Sequence, residues 1–403
     1  MSTQFPPTRT AALERLSDFL PKAGRTYAAR RNFDMGAGAH ADVSCLSPYL
    51  RCRLLTEEEV IVSVVAKHGP DTAEKFIQEV FWRTYWKGWL ELRPGVWAQY
   101  QNGLQNAWND VQTQSGLRTR WEAACHGNTG IDCFDAWAEE LVQTGYLHNH
   151  ARMWFASIWV FTLELPWELG ADFFLRHLLD GDPASNTLGW RWVAGIQTPG
   201  KTYLARTNNI SKFTEGRFHP KWQLAGEAPP RTAPLPPDPR DFPSFNAPQP
   251  DRRTGFLLHE EDLSPGFALR ECDVEACAVM TPQIGIGPLA MAEHVIQFRQ
   301  SAQRDTLARY CDRLGVAASV DTAKALLDWA QANDIQQLVT PYAPTGPTAT
   351  TLDQFAKMEG APRLCRIVRD YDRLTWPKAT KGFFSFKSNI PTFLHTIDGN
   401  RAA

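Results

Sequence analysis

Nine prolines between Pro229 and Pro250, in PPRTAPLPPDPRDFPSFNAPQP, constrain this chain more than any other feature. Proline fixes its own φ and removes a backbone donor, so the stretch cannot sustain a helix or an inner strand and is expected to run extended and solvated. It splits 403 residues into two parts of ordinary domain size. Tryptophan follows the split: thirteen of fifteen lie between Trp82 and Trp222, and only Trp329 and Trp376 lie beyond the tract. The expected organisation is a helical domain over 1–225, a linker over 226–253 and an α/β domain over 254–403, with different cores.

The first part reads as nearly all helix. TAEKFIQEVFWRTYWKGWLEL, FDAWAEELVQTGYLHNHARMWFASIWVFTL and GADFFLRHLL repeat apolar residues every three to four positions, without the alternation of strands. Asp71 or Thr72 is expected to cap the first and Gly181 to end the last. Beyond the linker, strand-like FLLHEEDL, ACAVMTP, AASV, QQLVTPYAP and RLCRIVRD alternate with helix-like MAEHVIQFRQSAQRDTLARYCDRLG, DTAKALLDWAQANDI and TLDQFAKMEGA. That order predicts an open, mostly parallel sheet with crossover helices, giving a fold class of α plus α/β. No G-x-G-x-x-G follows a strand, and Gly285, Gly287 and Pro288 read as a turn.

A formal net charge of -2 gives no global basic field, so any nucleic-acid affinity must come from a local patch. The eight cysteines show no C-x-x-C pair and no histidine at zinc spacing, so free thiols are expected and no metal site or iron–sulfur cluster. No apolar signal segment or membrane-length run is present, which points to a soluble cytoplasmic protein with no membrane partner.

Spacing isolates three elements. Glu79, Trp82, Arg83 and Trp86 fall on one helix face, and Asn149, Arg152 and Met153 on another. Either face alone is explained by core tryptophans and a surface ion pair. DGDPASN then sets Asp180 and Asp182 beside an expected helix C-terminus, where negative charge needs a cation, and Arg152 is the expected one. A calcium loop is the competing idea, but the ligand spacing and closing Glu of an EF-hand are missing.

These motifs, in this order, resemble the FAD-binding domain of the photolyase/cryptochrome family from Arg25 to Phe218. YAARRNF with Tyr27, and VSCLSPYLR with Ser44, Leu46 and Ser47, resemble the family's phosphate-binding entry, although Val43 and Cys45 depart from it. Arg83 in FWRTYW matches the flavin-side arginine. The resemblance implies FAD as cofactor, with an Arg152–Asp180 pair beside the ring, Asp182 at its polar edge and Asn186 facing N5. An Asn there fits an anionic reduced flavin, since its amide can donate or accept.

The same resemblance implies a flipped-out lesion held by Glu79, Trp82, Asn149, Met153 and Trp192, with the two indoles as stacking walls. Asn149 and Met153 stand where the (6-4) branch has a histidine pair, which favours cyclobutane pyrimidine dimers. Trp190 and Trp167 resemble the start of the electron-transfer chain, with Trp108 or Trp121 as third member. The implied protein is a monomeric, light-dependent photo-lyase acting on ultraviolet-damaged DNA, double- or single-stranded. The alternatives are a cryptochrome-like photoreceptor and a flavin-binding homologue without repair. The α/β part resembles a reduced antenna domain placed after the FAD-binding domain, with no recognisable motif for an antenna chromophore.

Overall fold

A computed structural model describes residues 4–243, 245–281 and 287–402. Gly285, half of the expected turn, lies outside the described residues, and Gly287 and Pro288 form a bend. Twelve α-helices occupy residues 9–213: α1 (Arg9–Phe19), α2 (Arg25–Arg30), α3 (Ser47–Arg51), α4 (Glu57–His68), α5 (Glu74–Glu91), α6 (Gly95–Thr113), α7 (Ser115–Cys125), α8 (Asp132–Thr144), α9 (Asn149–Ser157), α10 (Trp167–His177), α11 (Pro183–Val193) and α12 (Thr207–Phe213). A full capping box between Thr56 and Glu59 starts α4. No side chain caps α5, whose N-cap is Ala73 rather than Asp71 or Thr72. Helix α10 ends at His177, before Gly181, because Leu178 turns extended.

Among its described residues the proline tract has no helix or strand, and it runs along the helical part. Arg240 N–H donates to the Leu92 carbonyl (2.8 Å) and Arg231 N–H to Ala194 (2.9 Å). Among the described residues five strands follow, β1 (Thr254–Leu258), β2 (Ala276–Met280), β3 (Ala317–Val320), β4 (Gln337–Pro341) and β5 (Arg363–Ile367). All pairs are parallel and the order is β3-β2-β1-β4-β5, so the winding reverses between β1 and β4. Their connections carry α13 (Gly266–Leu269), α14 (Glu293–Arg309), α15 (Cys311–Leu314), α16 (Ala323–Ala332) and α17 (Pro347–Ala356). The chain closes with α18 (Asp370–Thr375), α19 (Phe383–Lys387) and α20 (Ile390–Ala402). No helix among the described residues is long and apolar enough to cross a membrane.

Strand alternation decides how the two parts meet. Leu257 faces a cluster with Leu326, Leu338, Leu352 and Phe355 under α16 and α17. Its neighbours Phe256 and Leu258 face the other way, into the cluster that holds the tryptophan-rich helices. Different cores were expected; one apolar cluster instead runs from the helical part onto one face of the sheet. Residues from α18, α19 and α20 join it, Tyr371, Phe383, Phe386 and Phe393 among them, packing on α4 and α5. The sheet buries both faces, and one of them needs the helices as its cover.

A buried charge network lies at the same junction. Beyond β1, Glu260, Glu261 and Asp262 are each 5% exposed or less. Arg51 binds Glu261 (2.8 Å), Arg299 binds Glu260 (3.1 Å), and Arg369 binds Asp262 through two bonds (2.6 and 2.7 Å). Arg53 grips Asp372 with two 2.7 Å bonds and reaches Glu57 at 3.1 Å. It does so from a left-handed backbone (φ 52°), a strained conformation for a long side chain.

Removing one partner of such a pair leaves the other charged and unpaired, so Arg53→Met should cost about 3–5 kcal/mol in denaturant unfolding. Burial pushes the Glu57 carboxyl up, but Arg53, Arg83 and Lys87 outweigh it and hold it at about 2. Its stabilising contribution is therefore complete above the ordinary carboxylate range and disappears as pH falls toward 2. Glu57→Gln should flatten the dependence of stability on pH in that window; an unchanged slope would remove Glu57 from the network's energetics.

Candidate functional site

The DGD loop between α10 and α11 is fixed from both parts of the chain. Arg51 Nε donates to the Gly181 carbonyl (2.7 Å), and Arg299 Nη2 does so from α14 (3.2 Å). Asp180 receives two bonds from Arg152 (3.0 and 2.8 Å), the pairing expected from the sequence. Asp182 does not sit at a helix C-terminus. It is the N-cap of α11, accepting from Ala184 N–H (3.0 Å) and Ser185 N–H (2.9 Å), where the helix dipole favours a carboxylate. Its second oxygen meets Lys87 (3.0 Å) and Arg83 (3.5 Å). Burial would raise its pKa, but these cations and Arg51 hold it far below the ordinary range.

Asn186 lies one turn into α11, 9% exposed. Its amide NH2 donates to the Ala171 carbonyl (2.8 Å), which leaves its own carbonyl oxygen as an acceptor. Arg83 is engaged by protein, with Nε on Glu57 (3.3 Å) and Nη2 on the carbonyls of Leu50 (3.1 Å) and Arg51 (3.4 Å). At the other end, half-buried Ser44 lines an open cavity of about 430 Å³ with Arg15, Lys22, His40, Val43 and Tyr49. Buried Leu46 donates its N–H to the Ser44 hydroxyl (3.4 Å), and Ser47 opens α3. Cys45 is buried in a left-handed backbone (φ 50°). Tyr27 packs edge-on against Phe19 and Phe76.

Three of the lesion candidates already have side-chain partners within the protein. Glu79 forms a close ion pair with Arg31. Trp82 stacks face to face on Phe383 of α19, with centroids 3.4 Å apart, and Trp192 stacks on Tyr203 at 5.7 Å. Asn149 opens α9 as an exposed residue and Met153, one turn on, is half-buried. His148 caps that helix through Nδ1, and burial lowers its pKa to about 4, so it stays neutral near pH 7. Arg31, Lys87 and Phe383 escaped the sequence reading. Lys87 alone left a signal, one turn beyond Arg83 on the same helix.

Among the tryptophans, Trp190 is buried against Phe174 (5.1 Å) and Trp159 (6.1 Å), the latter not anticipated. Trp167 instead meets Tyr100 at 5.7 Å, and Trp108 pairs with Trp121 at 5.4 Å. Gly170 makes room for Trp190: a Cβ there would fall 2.3 Å from the indole edge.

Residues 76–223 match the family model described as the FAD binding domain of DNA photolyase. That match lies wholly within the helical part of the chain. The chain is 28% identical to the deoxyribodipyrimidine photo-lyase of Vibrio cholerae, over 51% of this chain and 44% of that protein. To the deoxyribodipyrimidine photo-lyase of a Synechococcus strain it is 32% identical, over 56% of this chain and 49% of that one. It thus spans about half the length of the curated relatives it matches. A bacterial class III photolyase from Agrobacterium tumefaciens superposes at a TM-score of 0.44 with 27% identity, covering 52% of this chain and 43% of that one.

The residues present are chemically suited to the cofactor that the matched domain's description names. Ser44, Ser47, the Arg152–Asp180 pair and the free carbonyl of Asn186 offer hydroxyls, a fixed ion pair and an acceptor of the kind a flavin dinucleotide needs, while Arg83 and Asp182 brace the wall behind them. Two substitutions probe it. Asn186→Asp should retain bound flavin yet change which redox state accumulates on illumination, read from the absorption spectrum. Gly170→Ala should displace Trp190, slow flavin photoreduction and cost about 1–3 kcal/mol of stability through overpacking.

Proposed function

We propose that this protein binds FAD noncovalently and uses light to repair cyclobutane pyrimidine dimers in DNA. The observation that carries this reading is the DGD loop: a doubly hydrogen-bonded Arg152–Asp180 pair and an Asn186 carbonyl left open, inside a matched FAD-binding region. Bound reduced FAD would supply an excited electron to the dimer and recover it after ring opening, with no net redox change.

In this reading Ser44, Leu46 and Ser47 hold the phosphates, with Arg15 and Lys22 of the neighbouring cavity adding positive charge. Arg152–Asp180 flanks the ring, Asn186 accepts at N5, and Asp182 orients the loop as helix cap. Glu79 hydrogen-bonds a pyrimidine edge, and Trp82 and Trp192 offer stacking faces beside Asn149 and Met153. Trp190 passes electrons inward from the surface, with Trp159 as well as Trp167 and Trp108 as relay candidates. DNA affinity follows from a local patch rather than net charge. Residues 198–222 carry five cations and one acid, and Lys201, Arg206, Lys212, Arg217 and Lys221 are exposed.

One observation favours a second reading, a flavin-binding photoreceptor or homologue without repair: Phe383 already covers one face of Trp82. Blue-light repair of a dimer-containing oligonucleotide separates the two. Activity in the light and none in the dark supports repair; full flavin occupancy with no light-dependent repair, in single or double strands, favours the second reading. If repair occurs, Glu79→Ala should lower its quantum yield with little loss of flavin. Trp190→Phe should slow photoreduction while chemically pre-reduced enzyme repairs normally, and equal loss of both would make Trp190 structural.

A further inference from the structure

Trp222 is 99% exposed, although the fourteen other tryptophans of this chain are buried or partly buried against neighbours. Its backbone is left-handed (φ 59°), uncommon for a bulky side chain. The Thr207 hydroxyl donates to the Pro220 carbonyl (2.9 Å), which ties the segment carrying His219, Lys221 and Trp222 to the start of α12. Arg206 precedes that start and Lys212 lies on the helix. Lys201, Arg206, Lys212 and Lys221 make no ion pair among the described residues, whereas most buried arginines are paired.

A groove is built from the segments that precede and follow the exposed ring in sequence. This open groove of about 620 Å³ is lined by Tyr203, Arg206 and Asn209 on one side and by Gly226, Glu227 and Ala228 on the other. Trp222 belongs to the chain between those two walls. Tyr203 of this groove stacks on Trp192, one of the lesion candidates. An exposed aromatic amid unpaired cations is the composition that grips a nucleic-acid strand, because every base has a face to stack and every phosphate a charge to answer. A protein partner would be expected to meet a more continuous apolar patch.

We propose that Trp222 is a stacking platform for an unpaired base of a single strand that runs along the Tyr203–Arg206 groove, with Arg206, Lys212 and Lys221 on its phosphates. This site lies outside the lesion pocket and deepens the reading of DNA as partner. It requires neither a dimer nor light, so it can be tested apart from repair.

The full-length protein is titrated in the dark against a labelled, undamaged single-stranded oligonucleotide and its duplex, followed by fluorescence anisotropy at two salt concentrations. Trp222→Asn removes the ring while tolerating the left-handed backbone. It should weaken single-strand binding at least about fivefold, the lower end of what one stacked base contributes. Trp222→Phe should restore most of the affinity, and Lys212→Gln with Lys221→Gln should reduce the salt slope. An unchanged melting temperature in each variant excludes unfolding as the cause. Equal single-strand affinity in wild type and Trp222→Asn, or no single-strand binding by wild type, would overturn the proposal. So would a Trp222→Asn variant that loses only self-association, which would assign the ring to a second copy of the chain. Dimer repair that persists while Trp222→Asn has no effect rejects this platform alone. Absence of repair with the Trp222 effect intact rejects the lyase reading alone.

Discussion

The junction of buried charge beyond β1 governs much of the rest of the structure. Glu260, Glu261 and Asp262 leave the sheet where its winding reverses, and Arg51, Lys87, Arg299 and Arg369 answer them from both parts of the chain. Each charge taken alone would be costly to bury, and the pairs offset that cost only in register. The arrangement therefore does more to fix position than to add stability. It specifies where the helical part sits on the sheet, and through Arg51 and Arg299 it holds the Gly181 carbonyl of the loop that carries Asp180 and Asp182.

That dependence shapes the candidate site. The DGD loop leads into α11, α11 carries Asn186 and Trp190, and Trp190 fits because Gly170 on α10 has no side chain. A cofactor on this wall would meet a rigid surface whose charges are already matched, apart from groups facing outward such as the Asn186 carbonyl. The lesion candidates stand in a different condition. Glu79, Trp82 and Trp192 each have a protein partner in Arg31, Phe383 and Tyr203, so engagement with a substrate would exchange existing contacts for new ones.

Local pattern made a good part of this legible. The strand segments, the long helix over α14, the faces of α5 and α9 and the Arg152–Asp180 pair all follow from periodicity or opposite charge at short range. Caps were less legible: Asp71 and Thr72 are good cap types, yet α5 begins after Ala73, because backbone geometry outranks residue preference there. Asp182 was assigned to the wrong helix end for the same reason, since the loop is too short to show in sequence where one helix stops and the next starts.

The sequence by itself determined the two compositional halves, the parallel character of the sheet and the motifs that mark an FAD-binding region, because each is written in residues close together in the chain. Tertiary structure decided what those residues touch. Phe383 reaches Trp82 across some three hundred residues, Arg53 reaches Asp372 across a separation of 319, and the alternation of β1 joins its Phe256 to the tryptophan-rich core. Such contacts depend on how faces pair when the chain closes, and one face of a helix or strand carries no mark of the partner it will meet.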